Sequence, residues 1–103
     1  MDAASLFGRA NALFVQEEYE EALDHYTRAV ELQDCAEHRA CRAAAHLRLG
    51  QLGAALEDAG RALALDPKSH MALHWRGVAL FYMGEHGSAK LAFEASLRAA
   101  PDA

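Results

Sequence analysis

The stretch from Ala10 to Leu32 reads ANALFVQEEYEEALDHYTRAVEL, and its small and apolar positions recur twice further along the chain. The small residue that opens it returns at Ala43 and Gly77, at spacings of 33 and 34 residues. Four further sets of positions keep this phase: Ala22, Ala55 and Ala89; Tyr26, Ala59 and Phe93; Ala29, Ala62 and Ser96; and Leu32, Leu65 and Ala99. Because a period of about 34 residues is typical of repeat architectures, the sequence predicts one domain, residues 1–103, with units of about 3–35, 36–68 and 69–103.

Each unit is predicted to contain two helices. The first unit holds an apolar stripe at helical spacing: Ala22, Leu23, Tyr26, Ala29 and Val30. Such a stripe is the buried face of an amphipathic helix. Gly50 and Gly84 follow the first helices of units two and three, where a left-handed backbone commonly ends a helix. The expected helices cover about 3–16, 19–33, 36–49, 52–65, 69–83 and 86–99. With 24 alanines and two prolines, the fold class is expected to be all-α.

The charge balance restricts the partners of the chain. Ten Lys and Arg residues against fifteen Asp and Glu residues give a formal net charge of -5. This disfavours docking on nucleic acid or on anionic membranes, and we expect neither partner. The N-terminal stretch lacks the basic start and compact apolar centre of a secretory signal. We therefore expect a cytoplasmic location, with the nucleus as an alternative, and two free cysteine thiols.

Catalytic and metal sites are not predicted. The chain has no glycine-rich phosphate loop and no nucleophile elbow, so we expect no enzyme and no cofactor. Cys35, His38, Cys41 and His46 are soft ligands near the start of unit two. Their spacing fits no strong zinc pattern, and we expect no native metal site.

Three stretches carry a resemblance to a known family: Tyr19–Leu23 (YEEAL), Ala62–Pro67 (ALALDP) and Arg76–Phe81 (RGVALF). Together with the small residues in phase, they resemble the tetratricopeptide repeat over essentially the whole chain. The resemblance implies three helix-turn-helix units in a right-handed α-solenoid. It also implies a non-catalytic protein-binding module, whose first helices line a groove for a segment of a partner.

A dicarboxylate clamp is the best-known binding mode of this family, in which Lys, Asn, Asn, Lys and Arg hold the acidic C-terminus of a heat-shock chaperone. The five clamp positions fall here on Phe7, Asn11, Cys41, Met71 and Trp75, so only Asn11 matches. Without Lys and Arg there is no charge-assisted anchor for a terminal carboxylate. We therefore expect the clamp to be lost.

An apolar groove is expected in its place, suited to an apolar helix or strand of a partner. Its predicted lining is Phe7, Asn11, Phe14, Ala40, Ala44, Leu47, Met71, His74, Val78 and Phe81. The alternative is that residues such as Phe14, Leu47 and Phe81 only fill the seams between helices.

The last helix is expected to offer a second surface. Units one and two place an acid four residues before an arginine, Asp24 with Arg28 and Glu57 with Arg61, which favours helical ion pairs. Unit three lacks these charges. Because a terminal repeat normally needs a polar outer face, we expect self-association, as a homodimer, through four residues of this helix: Leu91, Ala92, Ala95 and Ala99. A following segment or another partner are the alternatives.

Within the repeat class, the chain resembles the amino-terminal repeats of the Sgt-one co-chaperone family. The resemblance is carried by repeats that begin near Met1, by the lost clamp, and by Arg76–Glu85 followed by Ala89–Glu94 in unit three. It implies an adaptor in the pathway of the ninety-kilodalton heat-shock chaperone, with chaperone, ubiquitin-ligase or client assemblies as partners. The alternatives are an adaptor of another complex, or a receptor for chaperone C-terminal peptides with an atypical clamp.

Overall fold

Six α-helices in chain order make up the fold in the computed structural model, which describes residues 1–101. They are α1 (Ala3–Val15), α2 (Tyr19–Leu32), α3 (Ala36–Arg48), α4 (Leu52–Leu65), α5 (His70–Tyr82) and α6 (His86–Ala99). The predicted helices are confirmed, each to within one residue at either end. Two residues of the predicted third unit, 102 and 103, lie outside the described part. None of the described helices is long and apolar enough to cross a lipid bilayer.

One turn joins the two helices of each unit, and the three turns are equivalent. Gly50 and Gly84 have φ of 75° and 86°, as their position predicts, and the first unit has Glu17 there with φ of 63°. The residue after each donates its N–H to a carbonyl five residues back: Glu18 to Leu13 and Glu85 to Leu80, both at 2.9 Å, and Gln51 to His46 at 2.9 Å. This is the Schellman motif that ends helices with a left-handed residue.

Alanine-rich layers hold the helices together. Each helix packs against the next, and α3 also packs against α5. Ala10, Ala22, Ala43 and Ala55, which recur in phase in the sequence, are all 0% exposed. In unit three the equivalent of Ala10 is Gly77, where a Cβ would lie 2.7 Å from the ring of Phe93. The recurring small residues therefore let paired helices approach closely, as their phase indicates.

The ion pairs differ from the prediction. Asp24–Arg28 and Glu57–Arg61 do not form within residues 1–101; the ion pairs there gather instead around Asp34 and Asp58. Both predicted pairs lie on exposed helix faces, where a pair gains little over two solvated side chains. The outer face of the first two units still carries charged residues, and that of the third unit carries apolar ones. This difference lies in the residue types and not in ion pairs.

Asp58 on α4 is 2% exposed and receives two arginines from α3. Arg42 donates from Nε and Nη2 to its two carboxylate oxygens, at 2.7 Å each. Arg39 donates to Asp58 at 3.1 Å and to Asp34 at 2.8 and 2.9 Å. His46 Nε2 lies 3.5 Å from the carboxylate of Asp58. Contacts of Asp58 with Arg42, Arg39 and His46 therefore join α4 to α3 in the middle of the solenoid.

Candidate partner-binding groove

A pocket of about 700 Å³ opens where the end of α3, the turn after it and the start of α4 meet α5. It is lined by Leu47, Arg48, Gly50, Leu52, His74, Trp75, Val78 and Tyr82. The α5 residues among them recur at helical spacing, so one face of this helix forms one wall. The volume is within the range that takes a bulky side chain or a short segment of a ligand.

Trp75 is the central aromatic residue of this pocket. It packs against two clusters of buried alanines: Ala40, Ala62 and Ala72, and Ala43, Ala55 and Ala79. The ring of His74 lies edge-on to it, with the ring centroids 4.7 Å apart. Because its inner side is fixed against alanines, the rest of the ring faces the pocket without needing to reorder. A rigid aromatic of this kind offers contact area at a small loss of side-chain entropy.

The α1 side of the groove is aromatic and closely packed. Phe7 lies 4.5 Å from the ring of His38 and 5.9 Å from that of Tyr26. The Tyr26 hydroxyl donates to Oδ1 of Asn11 at 2.6 Å. Burial raises the pKa of Tyr26, so this hydroxyl stays protonated and keeps the Asn11 carboxamide in place.

The clamp positions carry no cation in the structure. Phe7, Met71 and Trp75 stand where the family uses Lys, Lys and Arg, and Cys41 stands where it uses Asn. Burial raises the pKa of the Cys41 thiol to about 12, so Cys41 is a neutral, unreactive side chain. The one arginine in the pocket is Arg48, whose guanidinium lies 6.0 Å from the ring centroid of Phe14.

The predicted groove residues fall into three sets. Leu47, His74 and Val78 line the pocket. Phe7, Asn11, Phe14 and Met71 are half-buried on α1 and α5. The other three lie elsewhere.

Ala40 and Ala44 are 0% and 6% exposed and thus inaccessible to a partner, which corrects their predicted place in the lining. The reason is that α3 is the middle of the three first helices and is covered by α4 and α5. Phe81 is 50% exposed but lies with Phe93 and Leu97 at the α6 end of the molecule, away from the pocket.

Five pocket residues were missed from sequence as groove lining: Arg48, Gly50, Leu52, Trp75 and Tyr82. Trp75 and Tyr82 lie three residues before and four residues after Val78, so helical spacing alone could have found them. Arg48 and Leu52 flank the turn after α3, and their approach to α5 depends on packing that a sequence does not show.

The predicted self-association residues do not all reach the surface. Leu91 is 68% exposed, and Ala95 and Ala99 are half-exposed. Ala92 is 7% exposed because it faces into the pair of helices α5 and α6, which corrects its predicted role.

The two histidines among the four soft ligands have other partners, and Cys35 and Cys41 are free thiols. His38 Nδ1 lies 2.9 Å from the Gln33 carbonyl oxygen, and His46 Nδ1 lies 2.7 Å from Oε1 of Gln51. Over residues 1–101, no three His, Cys, Asp or Glu side chains come together in a metal-binding arrangement.

Two curated proteins are similar to this chain over most of its length. A Protein SGT1 homolog of Oryza sativa subsp. japonica is 40% identical over 93 residues, covering 89% of this chain and 25% of the relative. The heat-shock protein cognate co-chaperone sgt12 of Aspergillus fumigatus is 34% identical over 99 residues, covering 95% of this chain and 29% of the relative. The chain thus spans between a quarter and a third of the length of these curated relatives.

A solved structure shares the fold closely. The second tetratricopeptide repeat domain of Spaghetti (RPAP3), bound to the HSP90 peptide SRMEEVD, has a TM-score of 0.91 and 32% identity, covering 97% of this chain and 94% of that one. A family model described as the tetratricopeptide repeat matches residues 3–34, and a second with the same description matches residues 42–103. The three tandem helical pairs form a right-handed α-solenoid, and the chain belongs to the tetratricopeptide repeat family.

Proposed function

We propose that the chain is a non-catalytic adaptor that binds a protein segment in the pocket around Trp75. The observation that carries this is an open pocket of about 700 Å³ with an anchored tryptophan in its wall. Pockets that combine an apolar lining with a few polar groups are the usual sites of ligand binding. Buried tryptophans are also frequent hot spots of protein interfaces.

The lining indicates the chemistry of the segment. Trp75, Val78 and Tyr82 favour a bulky apolar or aromatic side chain, and Arg48 at the rim can meet a carbonyl or a single carboxylate. A run of carboxylates finds no cation at the clamp positions and meets a chain of net charge -5. We expect the ligand to be an apolar segment with at most one acid near the pocket.

The similarity to co-chaperones supports an assignment to the chaperone system. The rice and Aspergillus relatives are an SGT1 homolog and a co-chaperone by name. We propose an Sgt-one-like adaptor in the heat-shock protein 90 pathway, linking chaperone, ubiquitin-ligase or client assemblies. An adaptor of another complex, or a chaperone-peptide receptor with an atypical clamp, is the alternative. A cytoplasmic location, with the nucleus as an alternative, is part of the same proposal.

Photocrosslinking in cells tests the pocket. Benzoylphenylalanine at Tyr82, which lines the pocket and is 68% exposed, is compared with the same group at the exposed Ala64 near the far end of α4. A chaperone or ubiquitin-ligase component that crosslinks from Tyr82 and not from Ala64 is the expected result. Equal crosslinking from both positions, or partners from neither system, would contradict the proposal. Crosslinks between two copies are recognised by their mass and scored apart.

A homodimer through α6 is the second candidate, favoured by the exposure of Leu91, 68%, beside the half-exposed Ala95 and Ala99. Light scattering on a gel-filtered sample tests it. Leu91→Glu is expected to reduce a dimer to a monomer, because a buried carboxylate without a partner is costly. An unchanged dimer mass in the variant would reject this contact.

A further inference from the structure

The end of the solenoid exposes an apolar face formed by α5 and α6. A depression of about 380 Å³ there, termed the terminal face, has an apolar lining with three polar residues at it: Phe81, Ala89, Phe93 and Leu97, with His86, Lys90 and Glu94. Phe81 is 50% exposed and Leu97 is 78% exposed. Exposed apolar residues gathered in one place, unlike single scattered ones, mark a contact surface.

The equivalent residues of the first unit are covered by the following helix. Tyr26 and Val30 correspond to Phe93 and Leu97, at spacings of 67 residues. They are 2% and 7% exposed. The helix that covers the first unit is α3, and α5 covers the second unit in the same way. The terminal face is therefore the third copy of a helix-binding surface whose first two copies are occupied.

A junction is the contact between one unit and the first helix of the next unit, which is called the incoming helix. At both junctions within the chain the incoming helix makes contact through the same two positions. Cys41 and Ala45 of α3 join the core of unit one, and Trp75 and Ala79 of α5 join the core of unit two. The equivalent residues of α1, 33 positions before Cys41 and Ala45, are Gly8 and Ala12. Both are exposed.

We propose that α1 of a second copy of this chain docks on the terminal face, so that copies stack head to tail and continue the solenoid. Gly8 and Ala12 would enter the terminal face as Cys41 and Ala45 enter unit one. The chain thus carries both halves of the contact, which distinguishes a second copy from an unrelated partner.

The sizes of the residues support this occupant. At the first junction a large receiving residue, Tyr26, lies near a small incoming one, Cys41. At the second junction the order is reversed, with Ala59 as the receiving residue and Trp75 as the incoming one. The terminal face again has a large receiving residue, Phe93, so it needs a small incoming residue. Gly8 is the smallest possible.

Such a contact does not close on itself. It joins two different surfaces, α1 and the terminal face, and heterologous contacts give open chains unless the rotation happens to form a ring. We therefore expect the mean mass to rise steadily with concentration, without a plateau at the dimer.

Two single-face variants and their mixture test the proposal by analytical ultracentrifugation. Gly8→Glu blocks the α1 face, and nothing in the fold lies within 4 Å of the added Cβ. Leu97→Glu blocks the terminal face at a side chain that is 78% exposed. Each variant alone is expected to sediment as the 11.2 kDa monomer. Mixed together, they retain one intact face each, so a one-to-one complex of twice that mass is expected.

Leu65→Glu is the matched control, because Leu65 is an exposed leucine at the end of α4 that lies outside the terminal face and outside α1. It is expected to associate as the unmodified chain does. A dimer that persists in Gly8→Glu would overturn the proposal in favour of a symmetric contact. An unmodified chain that stays monomeric up to about 1 mM would overturn it in favour of another occupant, as would a mixture of the two variants that forms no complex.

Discussion

Glu17 has the left-handed backbone, φ of 63°, that glycine has in the two equivalent turns. This conformation destabilises the folded state by roughly 1–2 kcal/mol for a residue with a Cβ. Glycine avoids that cost, but its unfolded state has more conformational entropy, which offsets part of the gain in stability. We predict that Glu17→Gly raises the free energy of unfolding by about 0.5–1 kcal/mol. Urea denaturation measures it.

Glu17→Gln is the control, because it removes the charge from the acidic start of α2 and keeps the backbone requirement. A gain in stability equal to that of the glycine variant would show that charge, and not backbone conformation, is responsible. The reverse change, Gly84→Ala, is expected to destabilise the chain by about 1 kcal/mol, since the left-handed conformation disfavours a Cβ.

Asp34 stands where units two and three have Pro67 and Pro101, and it accepts two hydrogen bonds from Arg39. This pairing lowers the pKa of Asp34 below its ordinary value of 3.8. A lowered pKa gives stability that is present above the unfolded pKa and is lost as the pH falls through the folded one. We predict a titration midpoint below 3.8 for the Asp34 carboxyl, measured by NMR. In Arg39→Gln the midpoint is expected to rise, and an unchanged midpoint would contradict the pairing.

At the scale of elements, Asp58 joins α3 to α4 through Arg42 and Arg39. Removing the buried acid leaves Arg42, whose side chain is 17% exposed, without the carboxylate that accepts its two hydrogen bonds, while Arg39 keeps its pair with Asp34. We predict that Asp58→Ala lowers the free energy of unfolding by about 3 kcal/mol. Glu57→Ala, the exposed neighbour on the same helix, is expected to change it by less than about 0.5 kcal/mol. Similar losses in the two variants would refute a specific role for Asp58.

The helices could be predicted almost to the residue because small residues in phase, amphipathic stripes and turn glycines all indicate the same boundaries. The ion-pair cluster could not. Sequence spacing suggested Asp24–Arg28 and Glu57–Arg61, whereas Asp58 pairs across helices with Arg42, sixteen residues away. Contacts within a helix follow from its period, but contacts between helices depend on the packing angle.

Only part of the candidate site could be predicted, because its lining also depends on contacts between helices. Val78 and Leu47 were found from the faces of the first helices. Ala40 has the same helical phase as other groove positions, yet it is buried because the middle helix has neighbours on both sides. Whether a position faces a groove or a neighbouring helix is a property of the assembled solenoid.

At the scale of the whole molecule, the chain shares a backbone with a domain that was solved bound to an HSP90 peptide, at a TM-score of 0.91. The side chains of the groove differ from those of a clamp. Affinity for an acidic C-terminus comes from charge-assisted hydrogen bonds to its carboxylates, which the backbone does not provide. We therefore expect a groove that carries Phe7, Met71 and Trp75 to bind a segment of different chemistry from an acidic C-terminus.

The measurement that tests this most directly is a titration of the chain with the peptide SRMEEVD, followed by the fluorescence of Trp75, its only tryptophan. The second repeat domain of RPAP3 is the positive control. We predict no saturable change up to about 1 mM peptide. Saturable binding in the micromolar range that weakens as salt is added would contradict it, because it would show that the groove holds the acidic terminus without the clamp cations.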